Sequence, residues 1–148
     1  MSALIAIAQM MTWSEADFSD LAGLMIQLSP RLSLTEERLR IVLEDRAIKL
    51  FVARDAGGRI VGCASLCLME ALSGKKGRVE DVVVCEECRG AGVGRRLVEH
   101  VVAEARAMGL EELQLTSRPS RVAANGLYRS LGFEAVETNC YRMRIFMG

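Results

Sequence analysis

The sequence predicts an α/β fold in which helices flank one mixed sheet. Strand-like and helix-like stretches interleave along the whole chain instead of separating into blocks. No internal repeat, low-complexity tract or linker interrupts them. The 148 residues suffice for one substantial core and fall short of two typical domains, so residues 1–148 are expected to form a single domain.

Composition removes several classes of function. Lys plus Arg balances Asp plus Glu at 19 each, which gives no basic field for nucleic acid and no acidic tail. The hydrophobic fraction is 51%, yet no apolar run approaches the roughly 18 residues of a membrane span. The first Lys or Arg is Arg31, so the apolar start ALIAIAQMM lacks the positive segment of a secretory signal, and a cytoplasmic protein without membrane contact is expected. Five cysteines include Cys85 and Cys88 in C-E-E-C, a spacing that suits zinc or redox chemistry. A four-ligand metal site would want a second close pair or histidines, and His100 is the only histidine, so no metal is expected. Reduced thiols serving as small apolar residues is the simpler reading, with a CxxC redox or metal protein as a rival.

The elements follow in order. Leu4 to Met10 reads as a strand; Ser14 and Asp17 stand at capping spacing ahead of a helix to about Leu28, with Phe18, Leu21, Leu24, Met25 and Leu28 as its stripe. Pro30 stops it, and Ser33 with Glu36 opens a second helix through Asp45. Glu15, Asp17 and Asp20 form a solvated face or line the entry of a cationic acceptor. Lys49–Arg54 and Ile60–Leu68 are strands joined by the hairpin signal Asp55-Ala56-Gly57-Gly58-Arg59. A loop at residues 73–77 leads to the β-branched run Val82, Val83, Val84, preceded by Glu80 and Asp81. After a turn comes a long helix, in which Leu97, Val98, Val101, Val102, Ala105 and Met108 recur at helical spacing and Gly109 ends the run. Glu112–Thr116 is a strand, Ser120–Leu131 a helix ended by Gly132, and Phe133–Val136 and Tyr141–Phe146 finish the sheet.

The turn holds the first chemistry. Arg89, Gly90, Ala91, Gly92, Val93, Gly94 and Arg95 join a buried strand to a helix whose first amide N–H groups have no internal partners and carry partial positive charge. Gly92 and Gly94 lack side chains that would hold a phosphate off the backbone, while Arg89, Arg95 and Arg96 add fixed charge. There is no Gly-Lys-Ser/Thr ending, and the glycines read G-x-G-x-G instead of the dinucleotide spacing.

Arg89, Gly92 and Gly94 fill a pattern that resembles the Arg/Gln-x-x-Gly-x-Gly/Ala signature of the GNAT superfamily, the Gcn5-related N-acetyltransferases. A second element of the resemblance is Asn125 and Tyr128, three apart on one helical face and followed by Leu131-Gly132-Phe133. The resemblance covers Ile60 to Tyr141; Cys85-Glu86-Glu87-Cys88 departs from it where a proline and an aromatic residue are often found. It implies the acyl-CoA N-acyltransferase fold, a central mixed sheet of about seven strands and about four helices, whose fourth and fifth strands splay to admit pantetheine. It also implies acetyl-CoA as co-substrate, an amine acceptor, and a homodimer paired through C-terminal strands. Pantetheine amides would pair along Val82, Val83 and Val84 as an added strand does.

Granting acetyl-CoA, the residues suggest the chemistry. A thiol of pKa about 8.5 is a fair leaving group, so a modest acid suffices, and Tyr128, with an ordinary pKa of about 10, can supply a hydrogen bond or proton. The family gives that work to this tyrosine position. A lysine-like amine of pKa about 10.4 loses about 4 to 5 kcal/mol of nucleophilicity to protonation at pH 7. Strand alternation sends Glu80 and Asp81 to opposite faces, with Glu80 as base or water-positioner, Asp81 as a substrate contact, and ordered water as the alternative relay. Lys75, Lys76 and Arg78 reach an adenosine 3′-phosphate or keep a hairpin tip soluble. The acceptor is a primary amine of a small molecule or peptide; Arg118, Arg121 and Arg142 suit an acidic acceptor, the acidic first helix a polyamine. A non-catalytic module that binds or senses acyl-CoA is the rival from another class.

Overall fold

The computed structural model describes residues 4–146. Contacts divide the chain into two units, Met1–Thr116 and Ser117–Gly148. The first holds a five-stranded sheet in the order β1-β2-β3-β4-β5, made of β1 (Ala6–Gln9), β2 (Ile48–Arg54), β3 (Ile60–Ala71), β4 (Gly74–Val84) and β5 (Glu112–Gln114). β1 to β4 pair antiparallel and β5 joins β4 parallel, so the sheet is mixed as expected.

Helix α1 (Glu15–Leu28) begins with a complete capping box: Asp17 N–H donates to Ser14 Oγ at 3.1 Å and Ser14 N–H to Asp17 Oδ2 at 3.2 Å. Helix α2 (Glu36–Glu44) starts from Thr35 and not Ser33, because the Thr35 hydroxyl is the one that accepts from Arg38 N–H, at 3.0 Å. The expected loop at residues 73–77 is instead largely strand. Ala71 pairs with Gly74 and Glu70 with Lys75, a cross-strand opposite-charge pair that extends the ladder and leaves Leu72-Ser73 as the tip.

Helix α3 (Val93–Ala107) buries Val93, Leu97, Val98, Val101 and Ala105. Gly62 is where it rests on β3: a Cβ there would lie 3.0 Å from Leu97 and 3.2 Å from the Val83 carbonyl. Phe51, Ile60, Leu66 and Val61 are among the core's largest fully buried side chains.

Two of the acidic residues of α1, Asp17 and Asp20, serve the fold. The Asp17 carboxylate takes the Arg54 guanidinium at 2.7 Å, and Asp20 Oδ2 accepts from Ile60 N–H at 3.0 Å. The hydrogen bond from Arg54 holds the Asp17 carboxyl below its usual pKa. A depressed carboxyl stabilises the fold above its unfolded value and loses that contribution as pH falls through the folded one. Asp17→Asn is therefore expected to cost about 2 kcal/mol at neutral pH and to flatten the fall in denaturation midpoint below about pH 4.

The second unit contains α4 (Val122–Ser130), and no strand is assigned from Phe133 to Phe146. The expected strands Phe133–Val136 and Tyr141–Phe146 are thus corrected, and with them the count of about seven. The sequence Tyr141-Arg142-Met143-Arg144-Ile145 alternates as a strand does, but Tyr141, Met143 and Ile145 are 80 to 87% exposed. Strand propensity is fitness for a pleated, half-buried surface, and this segment has neither ladder nor cover among the described residues.

Candidate active site

β4 and β5 run together only briefly. Lys76, Gly77 and Arg78 pair with Glu112, Leu113 and Gln114, and beyond Arg78 the residues Val79 to Val84 have no strand on that side among the described residues. This is the expected splay. The direction of the backbone groups on this side follows from the other edge. Cys85 N–H donates to the Val61 carbonyl at 2.8 Å, and Gly62 stands opposite Val84. In an antiparallel ladder hydrogen-bonded and non-bonded pairs alternate, so Val84 belongs to a non-bonded pair and turns its N–H and C=O away from β3 into the splay.

A bulge sits just before. Cys63 pairs with Val83 and Ser65 with Glu80, so Ala64 alone faces both Asp81 and Val82. Asp81 has φ of +53°, the one non-glycine residue with positive φ among those described, and Cys63 Sγ donates to its carbonyl at 3.5 Å. Asp enters the left-handed region more readily than most residues, which lets a bulge form inside a valine-rich strand. The bulge resets the alternation assumed from sequence: Glu80 and Val83 share a face although they stand three positions apart, a step that would put them on opposite faces of a regular strand.

The two acidic residues have different surroundings. Glu80 Oε1 is held by Arg78 Nε at 3.0 Å. Asp81 still reaches solvent, but partial burial, reinforced by the neighbouring Glu80 charge, raises its carboxyl above the ordinary value.

After β4 a 3₁₀ turn at Glu86–Cys88 leads to the glycine loop. Gly90 and Gly92 have φ of +85° and +79°, and a Cβ on either would meet nothing within 4 Å, so open space stands over the loop. Gly92 is the N-cap of α3, and the first i→i−4 bond is Arg96 N–H to its carbonyl at 3.1 Å. The amides of Val93 and Gly94 precede that bond, which gives the loop the geometry of an anion cradle suited to a diphosphate. The three arginines separate in role: Arg96 Nη1 donates to the Ile5 carbonyl at 2.8 Å, and Arg95 lies 3.6 Å from Glu99. Arg89 forms no ion pair among the described residues.

Cys85 is part of the core at 5% exposure, with its sulfur hydrogen-bonded to Glu87 and 3.4 Å from Arg59 Nη2. The bond to Glu87, followed by burial, raises its thiol pKa, and burial pushes Cys63 up to about 12; both changes disfavour the thiolate that redox and metal chemistry need. Among the described residues no three His, Cys, Asp or Glu side chains group to hold a metal. Lys75 Nζ donates to the Met108 carbonyl at 3.0 Å and Lys76 lies 3.9 Å from Glu112.

In the second unit, Asn125 Nδ2 donates to the Arg118 carbonyl at 3.0 Å and so fastens the start of α4 to the loop before it. Tyr128 is 7% exposed, its ring meeting Phe133 edge-on at 5.9 Å between centroids. Burial raises its pKa, against the opposing charge of Arg121, so the phenol stays protonated at neutral pH. Its hydroxyl bonds to no protein group among the described residues. Sequence reasoning found this loop and this helix but missed the bulge and Gln27 of α1, whose Nε2 donates to the Val84 carbonyl at 2.5 Å. An Asp inside a valine-rich strand was the available signal for the bulge; for Gln27 there was none.

A splayed sheet edge beside a helix-capped anion cradle is the architecture of a protein that lays out a long, diphosphate-bearing donor for group transfer. The family model described as the acetyltransferase (GNAT) family matches residues 7–133. Glucosamine 6-phosphate N-acetyltransferase 1 of Oryza sativa is 36% identical over 126 residues, which cover 79% of this chain and 73% of the relative. Aminoglycoside N(6′)-acetyltransferase type 1 of Stenotrophomonas maltophilia is 34% identical over 131 residues, 85% of this chain and 86% of the relative. Some other curated relatives are spanned over about half their length, 50% for an L-methionine sulfoximine/L-methionine sulfone acetyltransferase of Pseudomonas aeruginosa. The crystal structure of a Trypanosoma brucei acetyltransferase superposes with a TM-score of 0.76 at 28% identity, covering 97% of this chain and 99% of that one. The chain belongs to the acetyltransferase (GNAT) family and is an acetyl-CoA-dependent N-acetyltransferase.

Proposed function

We propose that this enzyme moves the acetyl group of acetyl-CoA directly to the primary amine of a small molecule, within one catalytic domain of residues 1–148. The observation that carries this reading is the outward-facing backbone of Val84 at the end of β4, followed along the chain by the open loop at Gly90–Gly92. An amide-bearing arm pairs with the first and a diphosphate rests on the second. The relatives' names place acetylation on glucosamine 6-phosphate, aminoglycosides and amino acids, and an amine is what these acceptors share.

In the reaction the amine nitrogen forms a bond to the thioester carbon, the carbon–sulfur bond breaks, and its electron pair leaves on sulfur. Tyr128 supplies the proton that neutralises the thiolate. The proton shed by the amine passes to a carboxylate at the bulge or to water. Of the two carboxylates, Asp81 fits the role of acceptor better than Glu80, because Arg78 occupies Glu80 while the environment of Asp81 favours its protonated form. Asp81→Asn is expected to lower kcat/KM about 10²-fold, whereas Glu80→Gln changes it less than tenfold. Release of free thiol across a panel of amines measures both, and the reverse order would return the base to Glu80. Absence of thiol release with every amine, despite binding of acetyl-CoA, would favour a non-catalytic sensing module. Five free cysteines suit a reducing cytoplasm, and the exposed alternating segment Tyr141–Ile145 suits pairing of two copies into a homodimer.

A further inference from the structure

We infer that Gln27, in the last turn of α1, is a positioning residue for acetyl-CoA that fixes the end of β4 and the start of the glycine loop in one register. This inference rests on the acetyl-CoA reading of the site. The Gln27 carboxamide makes two bonds: Nε2 donates to the Val84 carbonyl at 2.5 Å, and Oε1 accepts from Glu86 N–H at 3.2 Å. The two backbone groups flank Cys85, and they are the pair that one residue of an added parallel strand would engage. A half-buried side chain from another element therefore ends the open edge of β4 as a short stretch of strand would.

The consequence is local. Val84 turns its backbone into the splay, where the pantetheine arm is to pair, and Glu86 begins the turn that carries Arg89 and Gly92. A carbonyl oxygen has two lone pairs, so Val84 can accept from Gln27 and from a ligand amide together. Arm and diphosphate belong to one molecule of fixed length, so their two sites must keep a fixed separation, and Gln27 spans the junction between them. The residue touches neither the acetyl group nor the amine, so its effect belongs to donor binding and not to the chemical step.

The test compares the whole protein with Gln27→Met, which keeps bulk and removes both bonds, by calorimetric titration with acetyl-CoA and by steady-state kinetics. The expected result is a Kd and KM for acetyl-CoA raised about tenfold, with kcat and the KM for the amine nearly unchanged and little change in thermal midpoint. An unchanged Kd, or tighter binding because Gln27 competes with the donor, overturns the inference while leaving the acetyl-CoA reading intact. A parent protein that binds no acetyl-CoA overturns both. Should Gln27→Met fold poorly, Gln27→Glu carries the test: it keeps the acceptor for Glu86 but sets a carboxylate against the Val84 carbonyl. Its affinity is then expected to be low at pH 7 and to recover as pH falls and the carboxyl regains a proton, whereas a pH-independent affinity equal to that of the parent overturns the inference.

Discussion

Tyr128→Phe is expected to lower kcat about 10² to 10³-fold while leaving the Kd for acetyl-CoA within a factor of about three. The substitution removes one oxygen and keeps the ring, so the edge-on contact with Phe133 survives and the fold is not at issue. Its hydroxyl bonds to no protein group among the described residues, so no internal hydrogen bond is lost. What disappears is the proposed proton donor, a phenol that burial keeps protonated through neutral pH. Because burial raises this pKa, the rate should hold steady across the alkaline range until the phenol ionises, above the ordinary tyrosine value of about 10. Single-turnover thiol release measures the chemical step directly. Full activity in the phenylalanine variant would show that the thiolate departs unaided.

Gly92→Asp is expected to abolish measurable binding of acetyl-CoA, a loss of at least about a hundredfold in affinity. Two costs add. At φ of +79° any side chain strains the backbone, although Asp tolerates this conformation better than most residues. The larger cost is electrostatic: a carboxylate would stand at the N-cap of α3, the proposed seat of the diphosphate, and like charges there repel strongly. Gly92→Asn is the control, since it brings similar bulk and similar backbone tolerance without charge, and it should retain much of the affinity. Equal losses in both variants would assign the effect to shape instead of charge.

The contrast between these sites and the rest of the chain shows what the sequence made legible. The loop from Arg89 to Arg95 and the helix carrying Asn125 and Tyr128 could be read because local chemistry writes them: a turn needs its glycines and a helical face needs its spacing. The capping box at Ser14 was likewise expected, and a splay between the fourth and fifth strands followed from the family resemblance, although its start after Arg78 did not. The bulge at Asp81 was hidden because it is a mismatch between two strands and leaves no period in either one. Gln27 was hidden because its partners lie 57 and 59 residues away. Asp17 and Asp20 read as a solvated face, whereas they hold Arg54 and the Ile60 amide, contacts that exist only once α1 lies on the sheet. The segment from Tyr141 to Phe146 failed in the opposite sense: it has the composition of a strand, but the ladder that would make it one is missing among the described residues.

The central claim is that the first amides of α3, with Arg89, hold the diphosphate of acetyl-CoA. Amide resonances of isotope-labelled protein, followed as acetyl-CoA is added, test it most directly. The account predicts that the amides of Gly92, Val93 and Gly94 shift most, and that acetyl-pantetheine, which lacks the diphosphate, moves Val84 but leaves those three in place. Loop amides that stay fixed while saturating acetyl-CoA shifts resonances elsewhere would contradict it.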